Sequence, residues 1–214
     1  MRRETIAGSI WLLFAAVLLF VGRTAGAERT VLGPTGDTLA PDSYRAEFAL
    51  NPQGKFQNRS WLQFSSPQGI EFEAERSDLS TERKKGYALN IQYPITYSLT
   101  SALPAIAIGV RDVTGTGNEH GAFYLAATKS FRLSDAQHRF IHEVKIDAGI
   151  GSGRIGGIFF GGQTQLAVGL RIQAEFYRRQ TNITVALPIS RHLDARAYSL
   201  DSRIYYGFSI SLQR

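Results

Sequence analysis

The residues best suited to acid–base chemistry are four histidines, His120, His138, His142 and His192. No pair of them has helical metal-binding spacing, and the chain contains no cysteine to assist. Thiolate metal sites, thiol catalysis and lipid attachment to an N-terminal cysteine are thereby excluded. Gly-x-Ser-x-Gly, the strained turn that presents a hydrolase serine, does not occur. A Ser-His-acid triad assembles in space rather than in sequence order, so a rim-mounted enzyme acting on lipid or glycan stays open as an alternative. Gly151-Ser152-Gly153-Arg154-Ile155-Gly156 fits the glycine pattern of dinucleotide sites. That pattern functions only where a strand enters a helix. Here the glycine-rich Gly157 to Gly162 and a further strand-like run follow, so a small-residue loop or crowded wall is expected. The sequence therefore predicts no catalytic residue, no metal ligand set, no cofactor and no enzyme activity.

The elements around these residues begin with an export signal. Met1-Arg2-Arg3 is positive, Thr5 to Gly22 is uncharged, and Ala25-Gly26-Ala27 is a small-residue triplet. This layout predicts a cleaved signal peptide over residues 1–27; the alternative is an uncleaved anchor. The formal charge is +6, and without residues 1–27, where three arginines oppose Glu4, it is +4. The remaining charges are scattered along strand-like runs, which argues against a nucleic-acid partner. Asn58-Arg59-Ser60 and Asn182-Ile183-Thr184 fit the glycosylation pattern by coincidence.

Residues 28–42 are rich in Gly, Pro and Thr and read as an extended lead-in. From Ser43 the period is two: Tyr44, Ala46, Phe48 and Leu50 alternate with Arg45, Glu47, Ala49 and Asn51. The same alternation carries Tyr87 to Tyr93, Val144 to Asp147, Leu170 to Phe176, Ile183 to Ile189 and Tyr206 to Leu212. Such a period sends alternate residues to opposite faces of a strand. Turn signals fall at Pro67-Gln68-Gly69, Ser134-Asp135, Arg178 to Gln180, Arg191 to Asp194 and Asp201-Ser202, with Val168-Gly169 either a turn or mid-strand. The expectation is an all-β antiparallel barrel over residues 43–214 with about twelve strands, ten as the fallback. A soluble barrel turns its apolar set inward and a membrane barrel turns it outward. Aromatic residues near run ends (Tyr44, Tyr93, Tyr97, Phe131, Tyr177, Tyr205, Tyr206) and run lengths near those of spanning strands favour the membrane barrel. A soluble periplasmic barrel holding an apolar ligand is the alternative packing.

One segment is more specific. Pro104-Ala105-Ile106-Ala107-Ile108-Gly109-Val110-Arg111-Asp112-Val113-Thr114-Gly115-Thr116-Gly117 continues into Ala122-Phe123-Tyr124-Leu125-Ala126-Ala127-Thr128-Lys129. It resembles the hallmark hairpin of the YjbH family, outer-membrane β-barrels linked to exopolysaccharide production. Two echoes accompany it: Gly33-Pro34-Thr35-Gly36 resembles the family's lead-in, and Ala174-Glu175-Phe176 resembles the triplet of a later hairpin. Family members are often longer and many are lipoproteins, whereas this chain lacks the cysteine. The resemblance implies a non-enzymatic outer-membrane barrel supporting exopolysaccharide production or export. Its partners would be outer-membrane lipid, an exopolysaccharide and the proteins that export it. The motif residues singled out are Arg111, Asp112, Gly115, Gly117 and Lys129.

Strand parity adds a geometric expectation. If Ile106, Ile108 and Val110 face lipid, then Ala105, Ala107, Gly109 and Arg111 face the lumen. Glu143, Lys145 and Asp147 face it too, so Glu143 or Asp147 is the expected partner of Arg111. The guanidinium would also reach loop carbonyls near Gly115 and Gly117. Asp112 is expected at the strand end, ordering the Thr114 to Gly117 turn.

Overall fold

A computed structural model describes residues 31–53, 58–78, 85–97, 103–117, 120–133 and 140–213. The signal region, His138 and the Ser134-Asp135 turn lie outside the described residues. Twelve strands form: β1 Ser43–Leu50, β2 Arg59–Ser65, β3 Glu71–Asp78, β4 Lys85–Thr96, β5 Ala105–Arg111 and β6 Ala122–Arg132. They continue with β7 Ile141–Gly151, β8 Gly157–Leu166, β9 Arg171–Tyr177, β10 Gln180–Pro188, β11 Leu193–Leu200 and β12 Arg203–Gln213. Each pairs antiparallel with its sequence neighbours, and β1 meets β12 to close the barrel, from Ser43↔Gln213 to Leu50↔Tyr206. Closure removes every open edge that a meander of this length would otherwise leave.

Local chemistry fixes the hairpins. Arg178-Arg179 and Asp201-Ser202 are two-residue turns with both central φ positive, between 50° and 64°. That geometry matches the twist of the flanking strands. Val168-Gly169 is a turn, with Gly169 at φ 83 and its N–H on the Leu166 carbonyl at 2.8 Å. The glycine pattern at residues 151–156 bends through one short 3-10 turn, Gly153–Ile155, between two antiparallel strands. It has no helix to hold a pyrophosphate.

The faces are those of an inverted barrel. Tyr44, Phe48, Leu62, Phe72, Ile108, Leu125, Ile146, Phe160, Ile172, Leu187 and Phe208 are exposed on the outside. Arg45, Glu47, Glu73, Asn90, Arg111, Asp147, Gln173, Glu175 and Arg196 are buried within. This overturns the alternative with an apolar interior holding an apolar ligand. It also corrects part of the aromatic assignment. Tyr177 and Tyr205 share parity with Glu175 and Ser209, so they point inward and are buried, while Tyr44, Tyr93, Tyr97, Phe131 and Tyr206 face out.

The two ends of the barrel differ. The lower end is where the chain enters at Ser43 and leaves at Gln213; the upper end is where β1 gives way to β2. Inside the upper end, Trp61, Tyr124, Phe159, Tyr177, Tyr198 and Tyr205 pack with Ile155 and Leu200 into an aromatic layer. Glycine makes room for it: a Cβ on Gly149 would lie 2.2 Å from the Phe159 ring and 2.6 Å from the Leu125 carbonyl oxygen. Because backbone cannot yield there, G149A is expected to destabilise the folded barrel by about 1–3 kcal/mol, read as a lower urea midpoint.

Candidate functional site

The lumen is where the charges converge. Glu73 on β3 is a hub: its carboxylate accepts from Gln63 Nε2 at 2.7 Å, Asn90 Nδ2 at 2.7 Å and Arg111 Nη1 at 2.9 Å. Arg111 Nη2 reaches Glu75 at 3.4 Å. The structure therefore turns Arg111 inward, as parity requires, but its carboxylates come from β3. Glu143 and Asp147 lie on β7, two strands beyond β5 in the other direction. Asp147 instead accepts from the Thr128 hydroxyl, its cross-strand partner.

Asp112, fully buried, ends β5 at φ 56. Its carboxylate accepts from Thr114 Oγ1, the Gly117 N–H and the His120 N–H at 2.8–3.0 Å, and its carbonyl accepts from Gly115 and Gly121. Its own N–H donates to Asn90 Oδ1 at 2.7 Å, which ties the loop to the Glu73 hub. The Gly115 carbonyl meets the His120 ring at 2.9 Å, and the His192 ring meets the Ser211 carbonyl at 3.0 Å. Lys129 sits on the outward parity of β6 near the lower end, half-buried and opposite Ile146, apart from the lumen network. Among the described residues no group of three or more potential metal ligands converges.

The described part of the lead-in lies inside the barrel. Residues 31–40 thread the lumen from the aromatic layer toward the lower end, and most of them are buried. Glu175 accepts the Leu32 and Gly33 N–H groups, each at 2.8 Å, and the Asn182 side-chain amide at 2.9 Å. Thr128 Oγ1 accepts the Gly36 N–H at 2.8 Å; Gln92 donates to the carbonyls of Thr35 and Asp37; Glu71 accepts the Leu39 N–H at 2.8 Å. Lys145 pairs with Asp37 at 3.1 Å. Gly36 lies so close to the wall that a Cβ would fall 2.3 Å from the Ala105 carbonyl oxygen and 2.5 Å from the Thr128 nitrogen. Alongside the segment, a pocket bounded by Arg45, Gln63, Glu73 and Arg111 retains space for about one water molecule.

The three sequence motifs thus meet in one place: Gly33 and Gly36 of the lead-in, Thr128 of the hairpin, and Glu175 of the later triplet. A sequence model of the YjbH family, exopolysaccharide biosynthesis protein YbjH, matches residues 56–172, more than half of the 214-residue chain. The chain belongs to the YjbH family. Comparison with curated proteins and with solved structures gives no match. The YjbH match contains the Glu73–Asn90–Arg111–Asp112 network and Thr128, and it lies between the threaded segment and Glu175.

Sequence reasoning assigned no role to Glu71, Glu73 and Gln92, and placed Thr128 within the hairpin without giving it one. Inward parity on a strand, together with a short inward polar run (Glu71, Glu73, Glu75), was the available signal. The hub yields a direct prediction. R111M leaves Glu73 and Glu75 without their guanidinium and is expected to lower unfolding free energy by roughly 3–5 kcal/mol. Adding E73Q and E75Q should return most of that loss in detergent-folded protein. If R111M unfolds like the parent, Arg111 is not the anchor of this network.

Proposed function

We propose that this YjbH-family chain is a non-enzymatic outer-membrane β-barrel that supports production or export of an exopolysaccharide. The observation that carries the proposal is the inverted face pattern: an apolar exterior around a charged, hydrogen-bonded interior. Water would penalise so continuous an apolar belt, whereas lipid solvates it. The buried carboxylates of Glu73, Asp112, Asp147 and Glu175 are each met by donors, as a water-poor interior requires. The family match supports the polysaccharide link, and a cleaved signal over residues 1–27 would supply export. Outer-membrane lipid is then the first partner, followed by the polymer and its export proteins.

The threaded segment bears on the mode of support. With residues 31–40 in place, the pocket beside them has room for about one water molecule and none for a sugar chain. The resting barrel therefore serves as an anchored, closed unit, and passage through it would require the segment to leave.

Several measurements test this. The protein should partition with the outer membrane, begin at Glu28 when sequenced from its N-terminus, and migrate differently on a denaturing gel before and after boiling. Its loss should reduce surface polysaccharide. A chain found in the soluble periplasmic fraction would overturn the proposal. In planar bilayers the intact barrel should conduct weakly, and deletion of residues 31–40 should raise conductance several-fold; equal conductance would show that the segment does not close the lumen.

A further inference from the structure

The two rims carry different charge. At the upper end arginines lie in or within two residues of five of the six connections: Arg59, Arg76, Arg154, the Arg178-Arg179 pair and Arg203. Among the described residues with exposed or half-exposed side chains there, the acids are Glu75, which turns inward to Arg111, and Asp201, which is paired with Arg59. Asp112 is buried within its own turn. At the lower end the exposed or half-exposed charges of the described residues balance, with Lys129, Arg132 and Arg191 against Asp42, Glu71 and Glu143, and Lys145 paired with Asp37.

The position of the arginines selects their partner. Arg76 lies on the outward parity of β3 with Phe72 and Ala74, and it stands opposite the exposed Tyr87 of β4. Phe123, Ile158, Ile204 and Tyr206 are exposed on the outer face at the same end. Arg76 therefore sits where an apolar belt gives way to water, the depth at which a membrane presents its headgroups, while Arg59 and Arg203 share the inward parity of Trp61 and Tyr205 at the mouth. The mouth inside this rim is filled by the aromatic layer around Trp61 and Tyr205, so the charge surrounds a closed end. A planar guanidinium matches phosphate oxygens in a two-point geometry that an ammonium does not provide.

We propose that the arginine rim is a binding surface for phosphate-bearing lipid headgroups of the surrounding leaflet. This rests on the membrane reading above. An anionic polysaccharide is the competing occupant, but the outward-facing Arg76 and the filled mouth turn the charge toward lipid.

The test uses the full mature chain refolded into phosphatidylcholine vesicles, with and without phosphatidylglycerol, and follows the urea midpoint. The parent should unfold at a higher midpoint in the anionic vesicles, and added sodium chloride should erase the difference, because exposed charges are screened. R76Q/R154Q/R179Q/R203Q should match the parent in phosphatidylcholine and lose at least half of the anionic shift. The salt dependence of the parent decides the matter if that variant folds poorly. Entry into vesicles with no dependence on composition overturns this inference alone; failure to enter phosphatidylcholine vesicles overturns the membrane reading with it. Sodium phosphate, or a soluble polyuronate, reproducing the shift in phosphatidylcholine would identify a free-anion or polymer surface and overturn the lipid assignment.

Discussion

A barrel that faces its apolar side outward must place its charges inside, and each buried charge then needs a partner. That constraint organises the interior. Glu73 is satisfied by a guanidinium and two side-chain amides from β2, β4 and β5. Glu47 is held by Arg196 and the Tyr198 hydroxyl, while Asp194 is held by Arg171, Arg196 and Ser209. Glu175 is met differently, by two backbone amides of the threaded segment and by Asn182. The segment needs the carboxylate as much as the reverse, since its amides have no neighbouring strand to bond. An amide and a carboxylate each cost several kcal/mol if buried alone, roughly 2–7 for the amide by transfer measures. Wall and segment are therefore mutually dependent at this point.

Much of the wall is legible in sequence because alternation is a local property. Arg45 and Glu47 are separated from Tyr44, Phe48 and Leu50 by parity alone, and the same rule turns Arg111 inward and Ile108 outward. The turn residues at Gly69, Gly169 and Asp201 are equally local. What parity does not give is which inward residues meet. Arg111 found Glu73 and Glu75 because β5 neighbours β4 and a long guanidinium reaches past it to β3; alternation treats Asp147 as an equal candidate. Tyr177 and Tyr205 show a related limit. Position near a strand end suggests an interfacial aromatic, but one residue of phase places the ring in the lumen.

The threaded segment was the least legible part. Residues 31–40 show no period because they join no ladder; their amides pair with Glu175, Thr128 and Glu71 instead. Gly, Pro and Thr there read as a linker, yet Gly36 is required by its approach to the Ala105 carbonyl. A resemblance in three separated stretches contained Gly33, Gly36, Thr128 and Glu175 without indicating that they touch. Their convergence gives the likeness a physical basis: the hairpin and the later triplet supply acceptors for the lead-in.

The same bonding separates two kinds of stability. The barrel is held by a closed circuit of backbone ladders, in which each strand is fixed on both sides and no pair opens without straining the rest. The segment is held by side-chain bonds, most of them to single amides, by the Lys145–Asp37 ion pair, and by burial of Val31 and Leu32 in the aromatic layer. Bonds of this kind to charged groups contribute about 1.5–3 kcal/mol each and break one at a time. Withdrawing the segment would cost those bonds and the burial of Val31 and Leu32, and would expose Glu175, but it would leave every ladder in place. The fold thus allows its interior to be emptied without being unfolded, whereas the Arg111–Glu73 network, which joins strand to strand, belongs to the wall itself.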